Sequence, residues 1–303
     1  MTHHTLCPLC SSSNISMFLE CKDHLVSKEV FSLFKCASCN FIFTQDYPGE
    51  ESIDRYYESD DYVSHDDTAK GFFNRIYRFA RNLMLDKKKI IVESKTNRRN
   101  GRLLDIGSGT GHFAALMKNN GWEVTGIEPN NKARTYAVKR FGLSILQPEG
   151  ISDLPESSFD CITLWHVLEH FHEPFKNAAE IKRLLKPGGT CIVALPNSNS
   201  YDAEYYGEYW AAYDVPRHLW HFTPLTFRLF AVKAGFGFNR IKCLPLDVFY
   251  ISALSEKYKG TRLFFPAGMI KGFWFAMLSC FSIRKRSSLI YFLKKNHKPN
   301  EKT

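Results

Sequence analysis

The sequence predicts an α/β fold, a mostly parallel sheet covered by helices, with a small metal-binding module in front of it. Three observations carry this. An apolar strand from Leu103 to Ile106 runs into a glycine-rich turn and then a helix; a second strand, Glu123–Ile127, follows closely; and two Cys-x-x-Cys pairs bracket a strand-like alternation near the N-terminus. Strand, turn, helix and strand in quick succession describe a parallel βαβ unit. The 303 residues allow one large domain plus a module, and 44% hydrophobic content supplies a core and excludes wholesale disorder.

The first element is the cysteine module. Cys7-Pro-Leu-Cys10 and Cys36-Ala-Ser-Cys39 are separated by 25 residues, with Glu29–Lys35 and Phe41–Phe43 reading as strands. Four thiolates at this spacing suit a tetrahedral structural Zn²⁺, and a segment this short needs a metal to offset its small core. This predicts a zinc-ribbon-like module over 1–48. Cys21 and His24 lie between the pairs and read as unrelated loop residues. The opening MTHHTLCPLC has no apolar run, so no secretory signal is expected, and the cytoplasm is the expected location.

Residues 49–99 form a connecting segment: an acidic, tyrosine-rich stretch over 46–70, then a helix over 72–95 with Phe73, Ile76, Tyr77, Ala80, Leu83 and Met84 at helical spacing.

The strongest signal is Leu103-Leu-Asp105-Ile-Gly107-Ser-Gly109-Thr-Gly111-His112. A dinucleotide turn would carry its third glycine at position 112, which is His. A carboxylate at Asp105 disfavours a pyrophosphate but favours a ligand bearing a positive charge. Glu128, ending the second strand, is placed to accept a pair of ribose hydroxyls.

These residues resemble the class I S-adenosylmethionine (SAM)-dependent methyltransferase superfamily over roughly 100–245. Trp165-His166-Val-Leu-Glu169-His170 matches its "hxLEH" signature and Leu184–Gly189 its "LKPGG" turn, with Phe159–Leu164 and Thr190–Asn197 as the adjoining strands. The resemblance implies a Rossmann-like, seven-stranded, mostly parallel sheet of order 3-2-1-4-5-7-6. It also implies that SAM lies against Asp105, Gly107, Ser108, Gly109, Gly111, Glu128 and Trp165. The acid that relatives place before strand 4 for adenine is replaced by Gly150, so backbone groups near Gly150 and Ile151 are the candidates for that contact.

On the acceptor side, Tyr209–Pro224 gathers aromatics, Asp214, Arg217, His218 and His221. Its "PRHL…FTP" string resembles a subgroup that carries the same cysteine module and is linked with glycan or small-metabolite modification. His218 is the candidate base or substrate ligand, Arg217 the candidate grip on an anionic group, and His166 a candidate beside the cofactor. The competing readings are that His218 caps the helix starting near Pro224, that Arg217 pairs with Asp214, and that His170 bonds backbone.

The last segment, 246–303, reads as an apolar and basic extension. Gly272–Ile283 is apolar for only twelve residues, short of the roughly 20 a bilayer crossing needs. Residues 264–286 suit either a peripheral helix on the inner membrane face or a cover for the core. Seven of the 40 basic residues lie beyond position 283 against one acid, Glu301, so the net charge of +9 is largely a tail property. The function predicted is SAM-dependent methyl transfer to a small molecule or a sugar unit, nucleotide- or lipid-linked; the alternatives are an RNA methyltransferase and a non-catalytic scaffold.

Overall fold

The computed structural model describes residues 1–57 and 72–295, with backbone alone at 72–80 and 239. The tyrosine-rich stretch beyond Tyr57, the helix face through Ala80, and Lys298 and Lys302 lie outside the described residues.

The N-terminal module contains β1 (Ile15–Lys22), β2 (Val30–Cys36) and β3 (Ile42–Thr44). Then come α1 (Phe72–Thr96), β4 (Gly101–Ile106), α2 (His112–Asn119), β5 (Trp122–Ile127), α3 (Asn131–Phe141) and β6 (Ser144–Leu146). The next elements are β7 (Phe159–Trp165), α4 (Pro174–Leu184), β8 (Leu185–Pro196), α5 (Tyr201–Tyr206), β9 (Trp220–His221) and α6 (Pro224–Lys233). The chain closes with β10 (Phe236–Cys243), α7 (Asp247–Tyr258), α8 (Phe264–Leu278) and β11 (Ser288–Lys295).

The seven-stranded sheet runs β10-β11-β8-β7-β4-β5-β6. Its β8-β7-β4-β5-β6 part is parallel, and β11 is antiparallel to both its neighbours. Local chemistry sets the helix ends. Asn130 caps α3 by accepting from the Ala133 N–H at 3.0 Å, and Thr223 forms a capping box with Thr226 at the start of α6, where Pro224 occupies the first turn. Thr223, not His218, therefore caps that helix.

Two findings revise the domain boundaries. The sheet does not stop near 245: β11, in the segment read as an extension, is a central strand inserted between β8 and β10. Its Leu289–Leu293 run is wholly buried, because a strand covered on both faces is continuously apolar rather than alternating.

The cysteine module is also not self-contained. Its sheet runs β1-β2-β3-β9, completed by a strand from the methyltransferase-like part, with Phe43 opposite Trp220 and Ile42 opposite His221. Cys7, Leu9, Phe41 and Phe43 share one apolar core with Leu164, Phe222 and Phe230. The Lys233 ammonium donates to the Leu9 carbonyl at 3.0 Å.

Candidate active site

The glycine turn after β4 divides its labour. Gly107 and Gly111 have φ of +73° and +80°, and a Cβ at either would strike protein: Val167 at the first, Ala137 and Leu143 at the second. Gly109, with φ of +53°, has nothing within 4 Å of where a Cβ would stand. Of the three, only Gly109 has open space where a Cβ would stand; at the other two the lack of a Cβ lets the turn pack. Ser108 also turns inward, donating to the Asp105 carbonyl at 2.7 Å.

Glu128 is buried beside this opening. One carboxylate oxygen accepts the Gly109 N–H at 2.7 Å and the other the Asn130 N–H at 2.9 Å. Burial pushes its carboxyl up from the ordinary value, opposed by those two donors. Asp105 lies beneath, accepting from the Thr163 hydroxyl at 2.7 Å; burial raises its carboxyl to about 6, against the pull of Thr163 and of the Lys88 ammonium. Lys88, from α1, sits 4.7 Å over the Trp165 ring. Its sequence context, one of three consecutive lysines on a helix, gave no sign of that role. The Trp165 indole N–H has no hydrogen-bond partner among the described residues. An open Gly109, a pre-aimed carboxylate and an orphaned indole donor fit a nucleoside with a cationic tail. The Ile151 carbonyl accepts from Arg183 at 3.1 Å, which ties the loop after β6 to α4.

The opposite wall is built from the end of β7 and the loop before β9. His166 has a left-handed backbone, φ +59°, a strained conformation for a side-chain-bearing residue. Its ring lies between Glu169, 3.5 Å from Nδ1, and Asp247, 3.0 Å from Nε2. Burial opposes its charge, yet the two carboxylates outweigh that and raise it to about 9. The ring is thus held between two acids, one at each nitrogen.

Arg217 is 1% exposed, and each of its three guanidinium nitrogens has an acceptor. It donates to Asp214 at 2.7 and 3.1 Å, to Asp23 at 2.9 Å and to the Tyr56 carbonyl at 2.8 Å. Arg217 ties the cysteine module to the loop before β9, and its competing reading, a pair with Asp214, is present. The sequence could not reveal this, because Asp23 and Arg217 lie 194 positions apart.

His170 Nδ1 contacts the Arg217 carbonyl and the Tyr57 hydroxyl, each at 3.0 Å, and so holds the loop. His218 is nearly buried; its Nδ1 faces the Ala212 carbonyl at 2.8 Å and its ring stands edge-on to His170 at 4.6 Å. Nδ1–H therefore donates to that carbonyl. Glu169, His170 and His218 bring one ligand-type atom each within 4.8 Å of one another.

In the module, Cys7 Sγ lies 3.6 Å from Cys39 Sγ, and Cys10 Sγ lies 3.6 Å from Cys36 Sγ. A tetrahedron with Zn–S bonds of about 2.3 Å has S···S edges of about 3.8 Å, so the four sulfurs fit a structural zinc and are far too separated for disulfides. Cys21 and His24 stand apart: Cys21 packs in another cluster and His24 stacks on Tyr258 at 4.3 Å.

Comparisons with known proteins agree with this geometry. Residues 76–238 match the model of a family described as "Methyltransferase domain". The ubiquinone biosynthesis O-methyltransferase of Alkalilimnicola ehrlichii is 34% identical over 105 residues, 32% of this chain and 42% of that protein. That of Maricaulis maris is 32% identical over 131 residues, 40% of this chain and 52% of that protein. The chain thus spans about half the length of the curated relatives it matches. Among solved structures, phosphoethanolamine N-methyltransferase 2 of Haemonchus contortus with SAM aligns at TM-score 0.52 and 16% identity, covering 84% of this chain and 62% of that one. Such a likeness bears on the fold. With over half its residues matched by the family model, on an α/β sheet carrying this glycine turn, the chain belongs to the methyltransferase-domain family, within the class I SAM-dependent superfamily.

Proposed function

We propose that this chain transfers a methyl group from SAM to an oxygen of a small-molecule acceptor. The observation that carries the reading is the turn after β4, where Gly109 is open and the buried Glu128 carboxylate is aimed by two backbone donors. Bound SAM supplies an electrophilic methyl on a cationic sulfur. Glu128 takes the ribose hydroxyls and Lys88 closes the floor over Trp165. His218 stands at the acceptor, since Arg217 and His166 are committed elsewhere. The four cysteines hold a structural zinc. The relatives named for O-methylation in ubiquinone biosynthesis favour a small molecule over RNA or a sugar unit.

Binding of SAM by calorimetry, followed by a labelled-methyl screen over phenols, sugar nucleotides and RNA, tests this. His218→Ala is expected to leave SAM affinity near wild type and to lower turnover at least about 100-fold. Wild-type turnover in that variant would return His218 to a structural role.

One surface favours an acceptor met at a membrane. Gly268 and Gly272 press α8 against Ala253 and Phe249 of α7, and Lys271 bonds the buried Glu256 at 2.6 Å. The outward face keeps Ile270, Phe273, Trp274, Met277 and the 94%-exposed Phe281 in solvent. Only 22% of the Phe264–Phe281 window is buried. Exposed Arg262 and Arg284 flank that stripe at its two ends, the pattern of a helix lying flat on anionic lipid. Wild-type protein is expected to sediment with phosphatidylglycerol vesicles, and the double variant Phe273→Asp, Trp274→Asp to remain in solution. Equal sedimentation of the two would assign the stripe to another partner.

A further inference from the structure

The cluster of Glu169, His170 and His218 holds more than the acceptor-side assignment of His218 requires. Glu169 is 1% exposed, and neither carboxylate oxygen has a hydrogen-bond partner among the described residues. Its closest ion-pair contact is the His166 ring, 3.5 Å from one oxygen. Apart from that ion pair the buried carboxylate has no donor, whereas buried polar groups are ordinarily hydrogen-bonded.

The two histidines are arranged to supply the rest of that shell. His218 points Nδ1 at the Ala212 carbonyl, and His170 points Nδ1 at the Arg217 carbonyl. Each ring's orientation is thereby fixed by a backbone acceptor at Nδ1, and its Nε2 is turned away from that bond. That outer bond is the one that metal-ligating histidines ordinarily make. The three ligand atoms lie within 4.8 Å of one another, close enough to converge on one ion. Asp214 Oδ2 lies 3.9 Å from His218 Nε2, with both carboxylate oxygens accepting from Arg217.

We propose that Glu169, His170 and His218 form a second metal site, separate from the four-cysteine cluster, which takes a divalent transition-metal cation. Two imidazoles and one carboxylate suit Mn²⁺, Fe²⁺ or Zn²⁺ better than an all-oxygen ion such as Ca²⁺. Three protein ligands leave coordination positions for water or for an oxygen of the acceptor. The site therefore deepens the reading of His218 given above and rests on it: the acceptor's oxygen is held through the cation.

The test uses the full chain with its cysteine cluster filled with zinc, titrated with Mn²⁺ and followed by the loss of the free Mn²⁺ electron paramagnetic resonance signal. The expected result is one saturable Mn²⁺ per chain, weakened at least about 10-fold in both Glu169→Gln and His218→Ala. Circular dichroism confirms that each variant folds; if Glu169→Gln does not, His218→Ala decides alone. Absence of saturable Mn²⁺ in the wild type, or unchanged affinity in His218→Ala, overturns the proposal. SAM calorimetry on the same sample separates the two claims: SAM binding without Mn²⁺ sinks the metal site alone, and Mn²⁺ binding without SAM sinks the methyl-transfer reading.

Discussion

Gly109→Arg is expected to abolish SAM binding while leaving the fold intact. No protein atom lies within 4 Å of the position its Cβ would take, so the new side chain enters the crevice and not the core. There it meets Glu128, already held 2.7 Å from the Gly109 N–H, and an Arg–carboxylate pair would occupy the oxygens meant for ribose. The positive φ of +53° adds a backbone cost of about 1–2 kcal/mol for a side-chain-bearing residue. We expect at least about a 100-fold loss of SAM affinity by calorimetry, equal to about 2.7 kcal/mol. Gly107→Ala provides the contrast. Its Cβ would overlap Val167, so it should lower the melting temperature. Wild-type SAM affinity in Gly109→Arg would place the cofactor elsewhere.

Arg217→Ala is expected to cost about 3–5 kcal/mol of stability, because it strands buried carboxylates that one guanidinium serves. Asp214 and Asp23 both lose their cation, and the Tyr56 carbonyl loses its donor. Arg217→Lys should rescue little, since a single ammonium cannot span these acceptors in the fixed fork geometry. The pH dependence follows from Asp23. Although burial opposes its charge, Arg217 and the Ser27 and Val26 N–H groups hold its carboxyl down at about 2, from 3.8. A depressed carboxylate stabilises the fold above its unfolded value and loses that contribution as pH falls toward the folded one. The gap between wild type and Arg217→Ala should therefore be full at neutral pH and shrink between about pH 4 and pH 2. Urea unfolding across that range measures it. A neutral-pH difference under about 1 kcal/mol would mean that Arg217 is not a clamp, and would restore it as a substrate ligand.

The second result bears on how far a sequence can be read. Arg217 stood in an aromatic, histidine-rich segment suited to substrate binding, and on composition alone a functional role was the natural expectation. What the segment cannot show is the pair of long-range contacts to Asp23 and to the Tyr56 carbonyl, residues with no motif around them. His166 is a similar case. Its place beside the expected cofactor is visible in the signature, but its charge state depends on Asp247, 81 positions later at the start of α7. His170 behaves as its local reading allowed, because its partner, the Arg217 carbonyl, is backbone.

Strand β11 shows a different limit. Ser288-Leu-Ile-Tyr-Phe-Leu-Lys-Lys295 is a short apolar run bounded by polar residues, which suits a buried strand. Basic residues flank it on either side, and periodicity cannot say that a late segment returns to the interior of a sheet. β1 went unread for a related reason: Ser16, Met17, Phe18 and Glu20 are largely exposed or mixed in burial, so no clean alternation marks it.

By itself the sequence determined what depends on neighbours along the chain. It specified the glycine turn, the acid ending β5, the capped helices that follow, and two cysteine pairs spaced for one metal. Only the tertiary structure decided which glycine has open space beside it, which groups surround each histidine ring, and whether the cysteine module is a separate body. These are properties of packing and burial. A side chain's charge and freedom are set by the groups that surround it in space, and most of those arrive from distant parts of the chain.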